Sequence, residues 1–305
     1  MHIRELTTPT VRWVNVTRPE KRELDYLAKE FKFHPLDLED CASPAQRPKI
    51  DEYPHYLFLV LIFPLYNRKT GEIIPTEIDF FIGEKYLVTV HRSELFPFMQ
   101  FFDECRSDLV LQKRVMTAPE QLLYEILERL LMHTFPMLDN INLDITRIQK
   151  EIFAGNERRV VREILATKRN IVNFRRVMQA HKAMIRRVKE KQSKFCKGKC
   201  VVIYFDNLVE HTKDIWDTLE NQKDTINALQ ETNESLITFQ LNDIMKLLTI
   251  ISVIMLPAGL VASLFSTNAE YTPLVGTPGD FWMLVGLMGL VALGMIAFFR
   301  KKKWL

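Results

Sequence analysis

Five hydroxyl-bearing residues, Thr249, Ser252, Ser263, Ser266 and Thr267, fall on one side of a helix drawn through an otherwise apolar stretch. At about 100° per residue they occupy a sector roughly 100° wide. Gly259 and Met245 share that sector, Asn242 borders it, and the opposite side is Leu, Ile and Val. Leu247 to Phe265 is nineteen residues without a charge, as is Phe281 to Phe299. Each spans roughly 28 Å as a helix, about the hydrocarbon thickness of a bilayer. The second stretch has no hydroxyl, amide or charged side chain. A polar stripe on a membrane helix either joins helices or lines a water-filled path. One striped helix cannot enclose a path. Several copies around an axis can, with the second span as an outer ring.

Flanking charge orients the pair. Lys246 precedes the first span, and Arg300, Lys301, Lys302 and Lys303 follow the second. The intervening residues, Ser266 to Asp280, hold no Lys or Arg but carry Glu270 and Asp280. Basic flanks stay inside, so both termini are expected in the cytoplasm and the acidic loop outside. The first ten residues include His2, Arg4 and Glu5, unlike an apolar leader. The 305 residues carry 41 Lys and Arg against 38 Asp and Glu, and a balance of +3 names no partner. With 47% apolar residues, wholesale disorder is excluded. Four cysteines (Cys41, Cys105, Cys196, Cys200) are too few for a disulfide framework and suit a reducing compartment.

The preceding residues must position the striped helix. Residues 1–117 read as an α/β domain. Trp13, Val14 and Val16 suggest a first strand, Thr17 to Glu20 a helix start, and Tyr56 to Phe63 a buried strand. Lys69 to Gly71 reads as a turn, and Glu77–Ile82 and Tyr86–His91 as a hairpin around Gly83. Residues 118–245 are helical. Leu123, Leu127, Leu130, Leu138, Ile141, Ile145, Ile148 and Ile152 keep helical spacing, with a kink expected at Pro136. A second helix is expected from about Arg158 to Lys191. A third begins near Phe205 and carries a seam from Leu208 through Thr212, Ile215, Leu219, Gln222, Ile226, Leu229, Asn233 and Leu236 to Gln240. No Pro or Gly interrupts it before Pro257, so it can continue into the first span. The remainder divides into span 246–266, loop 267–280, span 281–299 and tail 300–305.

Charge is segregated between the last two soluble helices. Glu157 to Lys199 holds fifteen Lys or Arg and three Glu, whereas Ile203 to Asp243 holds nine acids and two lysines. Mutual neutralisation is the simple reading. Acidic helices of several subunits concentrating cations above the membrane is the sharper one. Phe174 and Phe195 are the few aromatics among the basic residues, which disfavours nucleic acid as a partner. Cys196 and Cys200 make half a metal site at best, and the seven histidines lack metal-ligand spacing. Glu39-Asp40 reads as a surface acid pair. There is no nucleophile elbow, phosphate loop or dinucleotide fingerprint, so an enzyme is not expected.

Five segments in order resemble the CorA-type divalent-cation transporters: Phe33–Asp40, Arg47–Tyr53, Phe81–His91, Met245–Ile251 with Pro257, and Lys301–Leu305. The resemblance implies an α+β fold: an N-terminal α/β domain, a long helical stalk and two C-terminal transmembrane helices, assembled as a funnel-shaped homopentamer. It also implies a bacterial inner membrane, and places Asn242, Met245, Leu248, Leu256, Gly259 and Asn268 along the pore. These overlap the stripe that contains Thr249, Ser252, Ser263, Ser266 and Thr267. Met245, Leu248 and Leu256 would be apolar constrictions that gate by dewetting. Lys301, Lys302 and Lys303 would form a basic collar.

The family's loop signature is Gly-Met-Asn, and here the position reads Ser266-Thr267-Asn268. In the family a ring of asparagine amides holds hydrated Mg²⁺ through its waters, in keeping with that ion's reluctance to dehydrate. Asn268 retains the amide. An acidic inter-subunit site of the family falls on Asn207, with Asp206 beside it and Glu210 one turn on as candidate ligands of a regulatory ion. The expected function is a CorA-type divalent-cation channel, moving Mg²⁺ or else Zn²⁺, Co²⁺ or Ni²⁺, with no bound cofactor beyond the ion and no ATP. The alternatives are a ZntB-like zinc transporter and a membrane-anchored scaffold that has lost conduction.

Overall fold

The computed structural model describes residues 2–43, 47–92, 95–192, 201–266 and 279–302. The chain divides into two compact units, residues 1–230 and 231–305. The first unit is built on a six-stranded sheet: β1 (Ile3–Thr7), β2 (Arg12–Thr17), β3 (Lys49–Glu52), β4 (Tyr56–Asn67), β5 (Glu72–Gly83) and β6 (Tyr86–His91). Their order is β1-β2-β6-β5-β4-β3. The β2–β6 pairing is parallel and the others antiparallel.

Alternation along these strands supplies two apolar faces. One carries Val14, Val16, Phe58, Val60, Phe81, Val88 and Val90, covered by Leu27 of α1 (Lys21–Phe31) and Leu38 and Cys41 of α2 (Pro35–Ala42). On the other, Trp13 meets Phe98, Phe101 and Phe102 of α3 (Phe96–Ser107) at centroid distances of 5.9, 5.7 and 4.8 Å. The indole needs a partner once buried. It donates to Thr89 Oγ1 at 3.2 Å, and Thr89 and His91 both bond Asn15 Oδ1. The expected strand at Trp13 is thus the second. The first, Ile3–Thr7, is an edge strand in which only Leu6 is buried.

The expected hairpin forms, with Ile82 opposite Leu87 and Gly83 at the end of β5. Residues 68–71 make the turn between β4 and β5. Two short helices, α3 and α4 (Leu109–Val115), follow the sheet. The helical periodicity from Leu123 to Ile152 divides into α5 (Pro119–Met132) and α6 (Thr134–Phe153), broken at His133. Pro136 therefore sits in the first turn of α6 instead of kinking a longer helix. There its missing N–H leaves no bond unmade. All eight periodic residues are buried. The expected helix from Arg158 to Lys191 is likewise two, α7 (Glu157–Met178) and α8 (His181–Gln192). The break brings His181 inside, where its Nδ1 lies 3.1 Å from the Val177 carbonyl and its ring meets Phe63 edge-on. Burial pushes that imidazole down to about 4.

α9 (Val201–Phe265) is unbroken and contains Pro257. In the first unit its seam residues Leu208, Thr212, Ile215, Leu219, Gln222, Ile226 and Leu229 are all buried. Gln222 is the polar member with a specific partner, donating to the Leu138 carbonyl of α6 at 2.8 Å. The charged helices meet as the segregation suggested. Arg175 pairs with Glu220 and lies 5.0 Å from the Trp216 ring, and Lys189 Nζ is 2.5 Å from Asp206 Oδ1.

One core group makes stability depend on pH. Asp79 of β5 is 3% exposed and its Oδ1 has no hydrogen-bond partner. Burial first, then the charge of Glu77, pushes its carboxyl up to about 8. In the unfolded chain it ionises near the ordinary value of about 4. Between those values the folded state holds a proton that the unfolded state releases, so stability falls as pH rises from about 4 to about 8. Asp79→Asn is expected to raise the thermal midpoint of the detergent-solubilised protein near pH 8 and flatten its decline from about pH 5. Matching pH slopes for the two proteins would refute the assignment.

Candidate functional site

The membrane-type chemistry lies in the second unit. It comprises the end of α9 and α10 (Asp280–Lys301), both long and apolar enough to cross a bilayer. Gly279 starts α10 at φ +111°, a left-handed conformation open to glycine at low cost. In the apolar part of α9 the covered positions are Lys246, Ile250, Ile254, Pro257, Ala258, Val261, Ala262 and Phe265, of which Ile250 is buried. On α10 they are Leu284, Met288, Val291, Ala292, Met295 and Phe299. Each set recurs at steps of three and four, so each lies on one face, and this periodicity places the hairpin contact there.

At 100° per residue the contact face of α9 is centred about half a turn from the polar stripe. The stripe is therefore left open by α10. Thr249, Ser252, Gly259, Ser263 and Ser266 are exposed, as are Asn242, Met245, Leu248 and Leu256. A Cβ added at Gly259 would meet nothing within 4 Å. Thr249 satisfies its hydroxyl proton on its own helix, donating to the Met245 carbonyl at 2.7 Å, and presents its lone pairs outward. Pro257 has no N–H to give the carbonyl of Val253 one turn earlier. Hydroxyl contacts between α9 and α10 within one chain do not account for the stripe.

Other candidates are placed as follows. Thr267, Asn268, Glu270, Lys303 and the cysteines Cys196 and Cys200 lie outside the described residues. Asp280 is the first residue of α10, Lys301 its last and Lys302 its C-cap. In the first unit, Asp206 is held by Lys189, whereas Glu210 is exposed. Asn207 donates to Glu128 Oε1 at 3.5 Å, and the same oxygen takes the Tyr124 hydroxyl at 2.5 Å. Glu128 escaped the sequence reading because α5 brings it to Asn207 from 79 residues away. Among the described residues no three His, Cys, Asp or Glu converge in a metal-binding arrangement.

An α/β unit that feeds a long helix into a hairpin of two apolar, exposed helices defines an integral membrane protein. One striped and one wholly apolar span suit either helix packing or a water-filled path. Residues 9–301 match the CorA-like Mg²⁺ transporter protein family, and the chain belongs to it. It is 27% identical over 305 residues to the cobalt/magnesium transport protein CorA of Thermotoga maritima, covering 99% of this chain and 85% of that one. Its fold is similar to the complete structure of the CorA magnesium transporter from Methanocaldococcus jannaschii, with a TM-score of 0.83 at 21% identity over 97% of this chain and 92% of that chain. It is also similar to the ZntB cytoplasmic domain from Vibrio parahaemolyticus, with a TM-score of 0.63 at 13% identity, covering 76% of this chain and 89% of that one.

The two faces of α9 should respond differently to added bulk. Ala262→Trp overfills the contact with α10 and is expected to destabilise the hairpin by about 1–3 kcal/mol. Gly259→Ala meets open space and should not lower the thermal midpoint. Thermal unfolding in detergent tests both, and equal losses for the two variants would reject the assignment of faces.

Proposed function

We propose that the chain forms a homopentameric pathway for hydrated divalent cations, Mg²⁺ foremost, with the stripe of α9 facing the shared axis. The supporting observation is the open stripe itself, half a turn from the face that α10 covers. Hydroxyls and a proline-freed carbonyl exposed to acyl chains are costly, whereas a watered axis satisfies them. The names and activities of the relatives favour Mg²⁺ and Co²⁺ as cargo.

In this arrangement Met245, Leu248 and Leu256 are apolar constrictions. Such rings resist wetting when narrow and conduct when wide. Thr249, Ser252, Gly259 and Ser263 provide small or hydroxylated surface between them, and Asn242 sits at the inner end. Asn268 supplies an amide ring at the outer mouth beside Ser266 and Thr267, reading the ion through its waters. Glu270 and Asp280 raise the local cation concentration there. Lys301, Lys302 and Lys303 collar the inner mouth, with both termini cytoplasmic in the bacterial inner membrane. An inside-negative potential draws the ion inward, contributing about 4.6 kcal/mol per divalent ion at 100 mV, so no nucleotide hydrolysis is needed.

Purified protein in liposomes loaded with an ion-sensitive dye is expected to take up Mg²⁺, and Asn268→Ala to abolish that uptake. With the native cysteines replaced, a water-soluble thiol reagent should cut flux through Ser263→Cys and spare Val261→Cys. Uptake of Zn²⁺ alone would transfer the reading to a zinc transporter. Sealed vesicles that take up none of Mg²⁺, Zn²⁺, Co²⁺ or Ni²⁺ would leave a membrane-anchored scaffold, the outcome that loss of the Gly-Met pair favours.

The same proposal assigns Asp206 and Glu210 to a regulatory divalent ion, which must displace Lys189 from Asp206. Saturable Mg²⁺ binding to the full-length protein should weaken in the Asp206→Ala, Glu210→Ala double variant. Binding that survives both changes places the regulatory ion elsewhere.

A further inference from the structure

One cavity in the first unit has no place in the proposed cation path. It is a cleft of about 920 Å³ at the end of the sheet where β2 and β6 begin. Its walls are aromatic. Phe31 closes α1, Tyr86 opens β6, and Tyr53 precedes β4. All three rings are only partly covered. Rings behind them fix the walls. Phe31 stacks on Phe33 at 5.2 Å and Phe33 on Phe81 at 4.0 Å. Tyr53 stacks on Tyr56 at 4.6 Å and on His34 at 5.6 Å, and the Tyr53 and Tyr56 hydroxyls are tied to the Asp37 carboxylate, so this ring braces the wall. Tyr86 lies so close over Gly83 that a Cβ there would come within 2.2 Å of its ring. One ring face is thus spent on backbone and the other is left to the cleft.

The rim adds charge. Arg12 is committed to Glu5, Glu30 and the Tyr26 hydroxyl, and its guanidinium lies 5.3 Å from the centroid of the Phe31 ring. Lys32 and Lys85 line the cleft, are exposed, and their ammonium groups have no ion pair or hydrogen-bonding partner among the described residues. The αL conformation of Lys32, at φ 55°, ends α1 at the cleft wall. His34 accepts the Leu36 amide on Nδ1, which leaves Nε2 to carry the proton as an outward donor. Against these stands one uncommitted acid on the rim, Glu84. Fixed ring faces with unpaired ammonium groups beside them suit a flat aromatic ligand that bears anionic oxygens.

We propose that this cleft binds a nucleoside phosphate, its base against the open face of Tyr86 and its phosphates on Lys32 and Lys85. The site lies within the first unit, and its binding is independent of the cation-transport proposal. Stacking on an aromatic wall tolerates any base, so the cleft selects the class and not one nucleotide.

Equilibrium dialysis of radiolabelled ATP against the full-length protein in detergent and EDTA tests this without involving Mg²⁺ transport. Saturable binding approaching one ATP per chain is expected. Lys32→Glu and Lys85→Glu are surface changes that leave the core intact, and together they should weaken binding at least about tenfold. Tyr86→Leu should weaken it comparably while Tyr86→Phe retains it, since the ring and not the hydroxyl makes the contact. Adenosine should compete, though less well than ADP. No saturable binding up to about 1 mM ATP would overturn the proposal. So would binding unchanged by the lysine reversals, or displacement by tripolyphosphate but not by adenosine, which would mark a bare anion patch.

Discussion

A hydroxyl or carbonyl placed in hydrocarbon must find a polar partner, and in this chain the partner cannot be α10. The contact face of α9 and its polar stripe are half a turn apart, so closing the hairpin buries Ile250 and Val261 and leaves Ser252 and Ser263 open. Thr249 settles its proton on its own backbone. The carbonyl freed by Pro257 has no such recourse within the helix. Each unsatisfied group in lipid costs several kcal/mol, more than a hairpin contact through small side chains returns. Assembly with other copies around water relieves that cost for every group on the stripe at once.

α9 thereby obeys two solvents in succession. Through Leu229 it is an ordinary amphipathic helix, with Leu208, Ile215, Leu219 and Ile226 inward and acids outward. Beyond Gln240 the logic inverts. Leu241, Ile244 and Met245 are all exposed, and the polar residues gather on a narrow side. No Gly or Pro marks the change before Pro257. The helix is kept continuous by propensity and by its neighbours, while side-chain chemistry alone changes the medium it fits. Polar members of the seam such as Thr212 and Gln222 pack less tightly than leucine would. The Gln222 amide N–H reaches the Leu138 carbonyl, while its buried Oε1 has no partner among the described residues.

Features that depend on spacing along one element were legible in the sequence. The stripe, the seam, the β5–β6 hairpin and the buried run of β4 all follow from periods of 3.6 or 2 and from turn residues. What escaped depends on distant partners. β1 carries Arg4 and Glu5 and buries only Leu6, so its alternation is too weak to read, and pairing with β2 makes it a strand. α7 and α8 separate at Gln179 and Ala180, neither of which breaks a helix by itself. The gain lies in burying His181 against Phe63. α3 hides in an aromatic run whose order is explained by Trp13. The aromatic cleft was invisible for the same reason, because its walls come from three separate turns of chain between Phe31 and Tyr86. The altered loop signature was recognised by resemblance, since nothing in the physics of Ser266-Thr267-Asn268 alone announces an ion.

The charge segregation suits the collective geometry proposed above. Arg175–Glu220 and Lys189–Asp206 join the basic helices to α9, but part-exposed pairs of this kind are worth about 0–1 kcal/mol each. Stability therefore gives little reason to place nine acids on one helix. Glu210, Asp214 and Asp217 have no cationic partner among the described residues. A single such helix in physiological salt is screened within about 8 Å and gathers few cations. Several of them converging around one axis would overlap within that distance, and their fields would add. Unpaired acids on the soluble part of α9 and uncovered hydroxyls on its membrane part are thus each suited to the proposed assembly of copies around water.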